Sequence, residues 1–170
     1  MHPIEVKTAL ESMVILVDSR EQDTPRLRAR LQKMGVPHER YKLNFGDYSA
    51  KCDSFSLANV VAIERKMSID ELCHCYCQDR ARFEREFERA KAVGAKVYLL
   101  IEDATWEDIY GGKYRSKMKP ESLVASLLAW LARYDCQLLF CKPGTTGQLI
   151  KDTLQRELKE RLEAMPDADV

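Results

Sequence analysis

Apolar residues recur along this chain in two periods, and the switches between them mark its elements. Met13-Val14-Ile15-Leu16-Val17 is a short apolar run that ends in charge at Asp18-Ser19-Arg20-Glu21, the signature of a buried strand reaching its end. Thr24-Pro25 offers a helix start, Leu27, Leu31 and Met34 fall at helical spacing, and Gly35 offers the stop. His38 to Leu43 alternates as a strand does, Lys51 to Ser54 reads as a turn, and Phe55 to Leu57 as a short returning strand. A hairpin-like meander thus leads into the run Val60-Val61-Ala62-Ile63, which ends in Glu64-Arg65-Lys66.

Downstream the helical period takes over. Ser68 with Glu71 forms a capping-box pattern for a helix to about Cys77, and Asp79 is placed to cap a second, with Phe83, Phe87 and Ala90 on its apolar stripe. Gly94 breaks that helix before Lys96-Val97-Tyr98-Leu99-Leu100-Ile101-Glu102, a buried-strand run. Pro120 then starts a helix bearing Leu123, Val124, Leu127, Leu128, Trp130, Leu131 and Tyr134. Cys136 to Cys141 is a last strand, Gly144 to Gly147 a turn, and Leu149, Ile150, Leu154, Leu158 and Leu162 line a last helix. Strand, helix and strand in succession predict parallel pairing in an α/β sheet. The reading is one domain over residues 13–164, after an N-terminal segment 1–12 and before a frayed tail 165–170.

Composition narrows the classes. The 170 residues, 45% hydrophobic and 32% charged, suit a folded domain with its own core. Lys+Arg and Asp+Glu both number 27, so any nucleic-acid surface must be local, without the overall basic excess of a protein held by counterion release. Residues 1–12 lack the apolar centre of a signal peptide, and no run approaches the roughly 18 apolar residues of a membrane span, so a cytoplasmic location is expected. Six cysteines in such a chain read as reduced thiols.

The chemistry sits at the strand ends. Alternation puts Glu64 and Lys66 on one face of their strand and Arg65 on the other. A carboxylate beside an ammonium suits hydrolysis with a hard divalent cation, the lysine orienting water or steadying phosphate. Asp47, behind Gly46, and Asp18 bring two further carboxylates.

Val-Asp-x-Arg-Glu (Val17 to Glu21), Gly-Asp (Gly46, Asp47) and Glu-Arg-Lys-x-x-x-Asp (Glu64 to Asp70), in that order, resemble the XPF/Mus81 type of structure-selective DNA endonuclease. That family is a branch of the restriction-endonuclease-like nucleases, and the likeness runs from about Val14 to about Phe140. It implies a mixed central sheet flanked by helices, and metal-dependent hydrolysis of DNA at branched or single-strand-to-duplex sites in repair or recombination. It also implies a catalytic set of Asp18, Arg20, Asp47, Glu64, Arg65, Lys66 and Asp70. Asp18, Asp47 and Glu64 are the expected oxygen ligands to magnesium or manganese. Asp70 is expected to orient Arg65 or Lys66, Glu21 to be ligand or ion-pair partner, and Arg80 to belong to the surroundings of the site. The helix-hairpin-helix tandem that often follows in the family is absent from this sequence, and the family's pairing of nuclease domains predicts a homodimer through the C-terminal helices.

Other features keep two readings. Lys113, Tyr114, Arg115, Lys117 and Lys119 form a basic run that reads as a DNA contact or as an ordinary loop. Arg26, Arg28, Arg30 and Lys33 read as a solvated helix face, with phosphate contact as the alternative. Cys73, His74, Cys75 and Cys77 lack the spacing of common zinc modules and read as small, partly buried residues. Against the nuclease stand a non-catalytic DNA-binding or dimerisation module that needs a partner, and a nuclease acting on RNA.

Overall fold

The computed structural model describes residues 1–166. Its core is one six-stranded sheet in the order β2-β1-β3-β4-β5-β6. The strands are β1 (Val14–Asp18), β2 (His38–Tyr41), β3 (Tyr48–Lys51), β4 (Val61–Lys66), β5 (Lys96–Glu102) and β6 (Gln137–Cys141). β1 and β2 are parallel, as are β4, β5 and β6, whereas β3 runs antiparallel to both neighbours, β1 and β4. This mixed sheet with helices on both faces is the restriction-endonuclease-like architecture. The one reversed strand decides where chemistry can sit. β1, β4 and β5 all end, and β3 begins, along a single edge of the sheet, so Asp18, Asp47, Glu64 to Lys66 and Glu102 meet there.

Helices α1 (Pro3–Glu11), α2 (Pro25–Met34) and α7 (Thr146–Ala164) cover one face, over Ile15, Val17, Ala50, Ile63 and Leu100. Helices α3 (Ile69–Cys77), α4 (Arg80–Ala92), α5 (Trp106–Tyr110) and α6 (Pro120–Tyr134) cover the other, over Ala62, Val97, Leu99 and Ile101. On that second face the fully buried Trp130 stacks on Phe83 at 5.2 Å and meets Phe87, Tyr76 and Tyr134 edge-on. Loss of such an indole costs about 3–5 kcal/mol. The cluster locks α4 against α6 and thereby fixes Phe83 at the site.

Thr24 caps α2 at Leu27 N and Gly35 closes it at φ 66°, as expected from the sequence. Elsewhere the structure departs from the pattern. The strand beside β4 is Tyr48–Lys51, and Phe55 to Leu57 contributes only a single bridge between Ser56 and Lys51. Ser49, Ala50 and Lys51 carry no apolar signature, because β3 is threaded between two strands where small side chains fit; the buried Ser49 hydroxyl donates to the Val61 carbonyl at 2.7 Å. Asp79 precedes α4 without a side-chain cap and pairs with His74 at 3.3 Å. The short helix α5, capped by Thr105, has no counterpart in the sequence reading. Residues 3–11 form α1, whose Val6 and Ala9 are buried against α7. Of the expected tail, the Met165 carbonyl accepts from the Met1 ammonium, and 167–170 lie outside the described residues. Among the described residues no helix is long and apolar enough to cross a membrane.

Candidate active site

Three backbone arrangements place the carboxylates. β1 delivers Asp18 at its last residue, 3% exposed, on the α3–α4 side of the sheet. Gly46 holds φ at +74°, and a Cβ there would lie 2.7 Å from Ala62 Cβ, so only glycine lets this turn press on β4. Asp47 is fastened on both sides, its N–H donating to Ile63 O at 2.8 Å and its carbonyl accepting from Asp18 N at 2.9 Å. β4 delivers Glu64 and Lys66 on the same side, Lys66 Nζ lying 2.6 Å from Glu64 Oε1.

These groups line a cavity of about 280 Å³ together with Arg20, Glu21, Arg65 and, from α4, Phe83 and Glu86. The electrostatics are those of crowded carboxylates. Burial, then the charges of Glu64 and Glu21, push the Asp47 carboxyl well above its ordinary range, although its Oδ2 accepts Arg65 N–H at 2.8 Å. Burial and Glu64 likewise raise Glu86. For Lys66, burial works against the charge, but Glu64 and Asp47 outweigh it and the ammonium's pKa ends well above its ordinary value. The ammonium also lies 5.0 Å from the centre of the Phe83 ring, which backs it with a π face.

A cavity whose carboxylates are crowded together is suited to a hard cation, which would relieve their repulsion. Asp47 and Glu64 fit that role. Asp18 is turned elsewhere: its Oδ2 accepts Arg20 Nε at 2.7 Å and its Oδ1 accepts Leu43 N at 3.1 Å. Among the described residues no group of three histidine, cysteine, aspartate or glutamate side chains is disposed as a ligand set, and that includes Cys73 to Cys77. Cys73 and Cys75 are buried and Cys77 is exposed.

The remaining candidates divide. Arg20 touches the site, bound to Asp18 and 3.8 Å from Glu86, and its guanidinium pKa is raised first by the Asp18 hydrogen bond. Glu21 lines the cavity. Arg65 leaves β4 on the opposite face and pairs with Glu102 at 3.2 Å. Glu102 is in turn held by Thr146 Oγ1 at 2.7 Å. Asp70 meets neither Arg65 nor Lys66; its Oδ1 accepts the amides of Arg115 and Ser116 at 2.9 and 2.7 Å, because the first turn of α3 faces the 111–119 loop. Arg80 lies 5.6 Å over Trp130 and 6.0 Å over Tyr76, while Arg82 lines the cavity instead. In the basic loop Arg115 is 94% exposed at its side chain, Lys113 pairs with Asp108, and the Tyr114 hydroxyl is tied to Met118 O at 2.8 Å, with its ring packed on the core.

The sequence reading left out Glu86, Phe83 and Arg40. Glu86 was visible only as one of several interleaved glutamates on α4, and Phe83 only as a core residue. Arg40 donates to the carbonyls of Asp18 and Glu21 at 3.2 and 2.8 Å, stapling the turn that presents Arg20 and Glu21, and no motif announces it.

A model of the ERCC4 domain matches residues 17–152. The structure titled "XPF from Aeropyrum pernix" is similar at a TM-score of 0.62 and 24% identity, with 88% of this chain and 67% of that chain covered. A structure of the same protein in complex with DNA is similar at a TM-score of 0.61 and 24% identity, with 92% and 68% covered. No curated protein matches the chain.

Proposed function

Since this chain belongs to the ERCC4 domain family, a family of DNA endonucleases that generally depend on divalent metal, we propose that it hydrolyses DNA phosphodiesters with magnesium or manganese, at branched or single-strand-to-duplex sites. The observation that supports this most is the placement of Asp47, Glu64 and Lys66 in one cavity at one sheet edge, where burial and then the charge of Glu64 raise the Asp47 carboxyl, beside the Lys66 ammonium.

When bound, the cation supplies Lewis-acid polarisation of the scissile phosphate and eases ionisation of water. Asp47 and Glu64 would hold it, with Asp18 joining if Arg20 turns from it to the phosphate. Lys66, fixed by Glu64 and Phe83, neutralises charge on the phosphate. Glu64 and Asp47 outweigh its burial and raise its pKa, which suits a fixed cation. Arg20 is half exposed at its side chain and can reach the substrate, whereas Arg65 and Glu102 brace the end of β4 from behind.

We also infer pairing with a second copy. The stripe of α7 is spent inside the domain, with Ile150, Leu154, Leu158 and Leu162 fully buried. Edge strand β6, with half-buried Leu138 and Phe140, and α6, with Leu128 47% exposed, remain for it.

The deciding experiment is cleavage of labelled flap, fork, four-way junction, duplex, single-stranded DNA and RNA with either metal. Cutting that needs metal and is absent from Asp47→Ala and Lys66→Ala supports the reading; wild type that binds DNA and cuts none of the panel overturns it.

A further inference from the structure

On the α2 side of the same sheet edge lies a second, larger cavity of about 920 Å³, bounded by α2, the end of β4 and the turn at Pro143 and Gly144. It shares Arg20, Glu21 and Arg65 with the acidic cavity, so the two adjoin at the end of β4. Its charge has the opposite character. Six cations line it (Arg20, Arg26, Arg30, Lys33, Arg65 and Arg115), against Glu21, Glu102 and Asp103. Arg65 pairs with Glu102, Arg20 with Asp18, Arg115 with Asp70 and Asp103 with Lys142 at 3.2 Å, which leaves Arg26, Arg30 and Lys33 without a carboxylate partner among the described residues.

Arg30 is the informative residue. It is 9% exposed, its Nη1 donates to the Tyr48 hydroxyl at 2.6 Å, and its guanidinium lies 6.0 Å from that ring's centre. Among the described residues no carboxylate pairs with it. A buried guanidinium without an anion costs several kcal/mol, and a neutral phenol does not discharge it. Arg26 and Lys33 stand four residues before and three after, along one edge of α2, a stripe about 10 Å long at 1.5 Å per residue. Arg26 has no partner among the described residues, and Lys33 is held only by the Gly144 carbonyl at 2.9 Å. A solvated helix face accounts for Arg26 and Lys33, but not for a buried Arg30.

We propose that this cavity is a second phosphate-binding site. Arg30, with Arg26 and Lys33 at its mouth, holds a phosphate of the nucleic-acid strand whose nearby phosphodiester is cut beside Lys66. The proposal rests on the nuclease reading for its ligand, and on Arg30 for its place. The strand bends around the end of β4, one phosphate over the carboxylates and another over α2.

The test is fluorescence anisotropy of a fluorescein-labelled 12-nucleotide single strand, with and without a 5′-phosphate, in EDTA. Arg30→Gln and the double variant Arg26→Gln/Lys33→Gln are compared with Arg156→Gln, an exposed α7 cation outside both cavities, as the control for net charge. The expected result is about tenfold weaker binding for each of the first two and wild-type binding for the control. The slope of log K against log salt should fall by up to about 0.7 for the double variant, the share of one phosphate contact on a single strand. Loss with both oligonucleotides identifies an internal phosphodiester, and loss with the phosphorylated one alone a terminal phosphate. Should Arg30→Gln fail to fold, the double variant decides, since both of its residues are at the surface. Wild-type binding by the double variant overturns the site while leaving the nuclease standing. Weakened binding beside a wild type that cuts nothing keeps the site and removes the nuclease.

Discussion

Lys66 Nζ and Glu64 Oε1 are 2.6 Å apart, two residues removed on one face of β4, and both side chains are at least nine-tenths buried. The pair is the pivot between stability and chemistry. Lys66→Met leaves Glu64 buried beside Asp47 without its counter-charge, which costs about 3 kcal/mol. On the proposed nuclease mechanism it also removes the fixed cation at the phosphate, for an expected loss of about 10²–10³-fold in kcat. Glu64→Gln/Lys66→Met should regain most of the stability and none of the activity. Urea melts and single-turnover cleavage on wild type, Lys66→Met and the double variant separate the two effects.

Asp47 makes the site unstable on its own. Its carboxyl is raised by burial and by Glu64 and Glu21, so folding favours its protonated form. The instability is therefore absent below the unfolded value of about 3.9 and grows as pH rises through the folded pKa. Asp47→Asn keeps an acceptor for Arg65 N and discards the charge. Without metal at pH 7 it should be more stable than wild type by about 1 kcal/mol and inactive, with the gain gone in acid. Magnesium or manganese should raise the wild-type Tm and leave that of Asp47→Asn unmoved.

Asp70 belongs to the loop. By accepting two amides of residues 115 and 116 it ties the glycine-containing basic segment to α3. Asp70→Ala should free the segment at a cost of about 1–3 kcal/mol locally, seen as faster amide exchange and tryptic cleavage at Arg115 with the far-UV spectrum unchanged. A drop in kcat as large as that of Lys66→Met would instead restore Asp70 to the chemistry.

How much of this the sequence disclosed follows from the range of each interaction. The ends of β1 and β4 and the caps of α2 and α3 rest on neighbours in the chain and were legible. β3 was not, because Ser49 and Ala50 take their strand geometry from β1 and β4 on either side. Asp18, Asp47, Glu64 and Lys66 were legible by motif. Glu86 and Arg40 act through contacts with Arg20 and with the carbonyls of Asp18 and Glu21, which no local pattern records. Arg80, named from the resemblance, lies over Trp130, whereas Arg82, which lines the cavity, has no motif to mark it.

The apolar side of α6 supplies a test of assembly. Leu128 projects to solvent from α6, 47% exposed. Leu128→Arg should convert a dimer to a monomer in sedimentation velocity at micromolar concentration, without lowering Tm beyond the dimer's own contribution. A monomeric wild type across that range removes the second copy as the occupant of this face.

Glu157 ties α7 to the sheet. Its carboxylate accepts from Lys96 Nζ at 2.7 Å, from the Tyr98 hydroxyl and from Arg161. Burial works against the charge, yet these three donors outweigh it and hold the carboxyl below its ordinary range. A depressed carboxyl contributes its stability above the unfolded value of about 4.3 and loses it as pH falls through the folded value. Lys96 and Arg161 are partly in solvent, which screens the ion pairs and limits the contribution to about 1 kcal/mol. Glu157→Gln should thus melt lower than wild type at pH 7, and the two curves should converge once the pH is below the folded pKa. Melting at fixed ionic strength from pH 7 to pH 3 reads the difference directly. A gap that stays constant across that range would mean that packing of α7, and not the charge of Glu157, sets the loss.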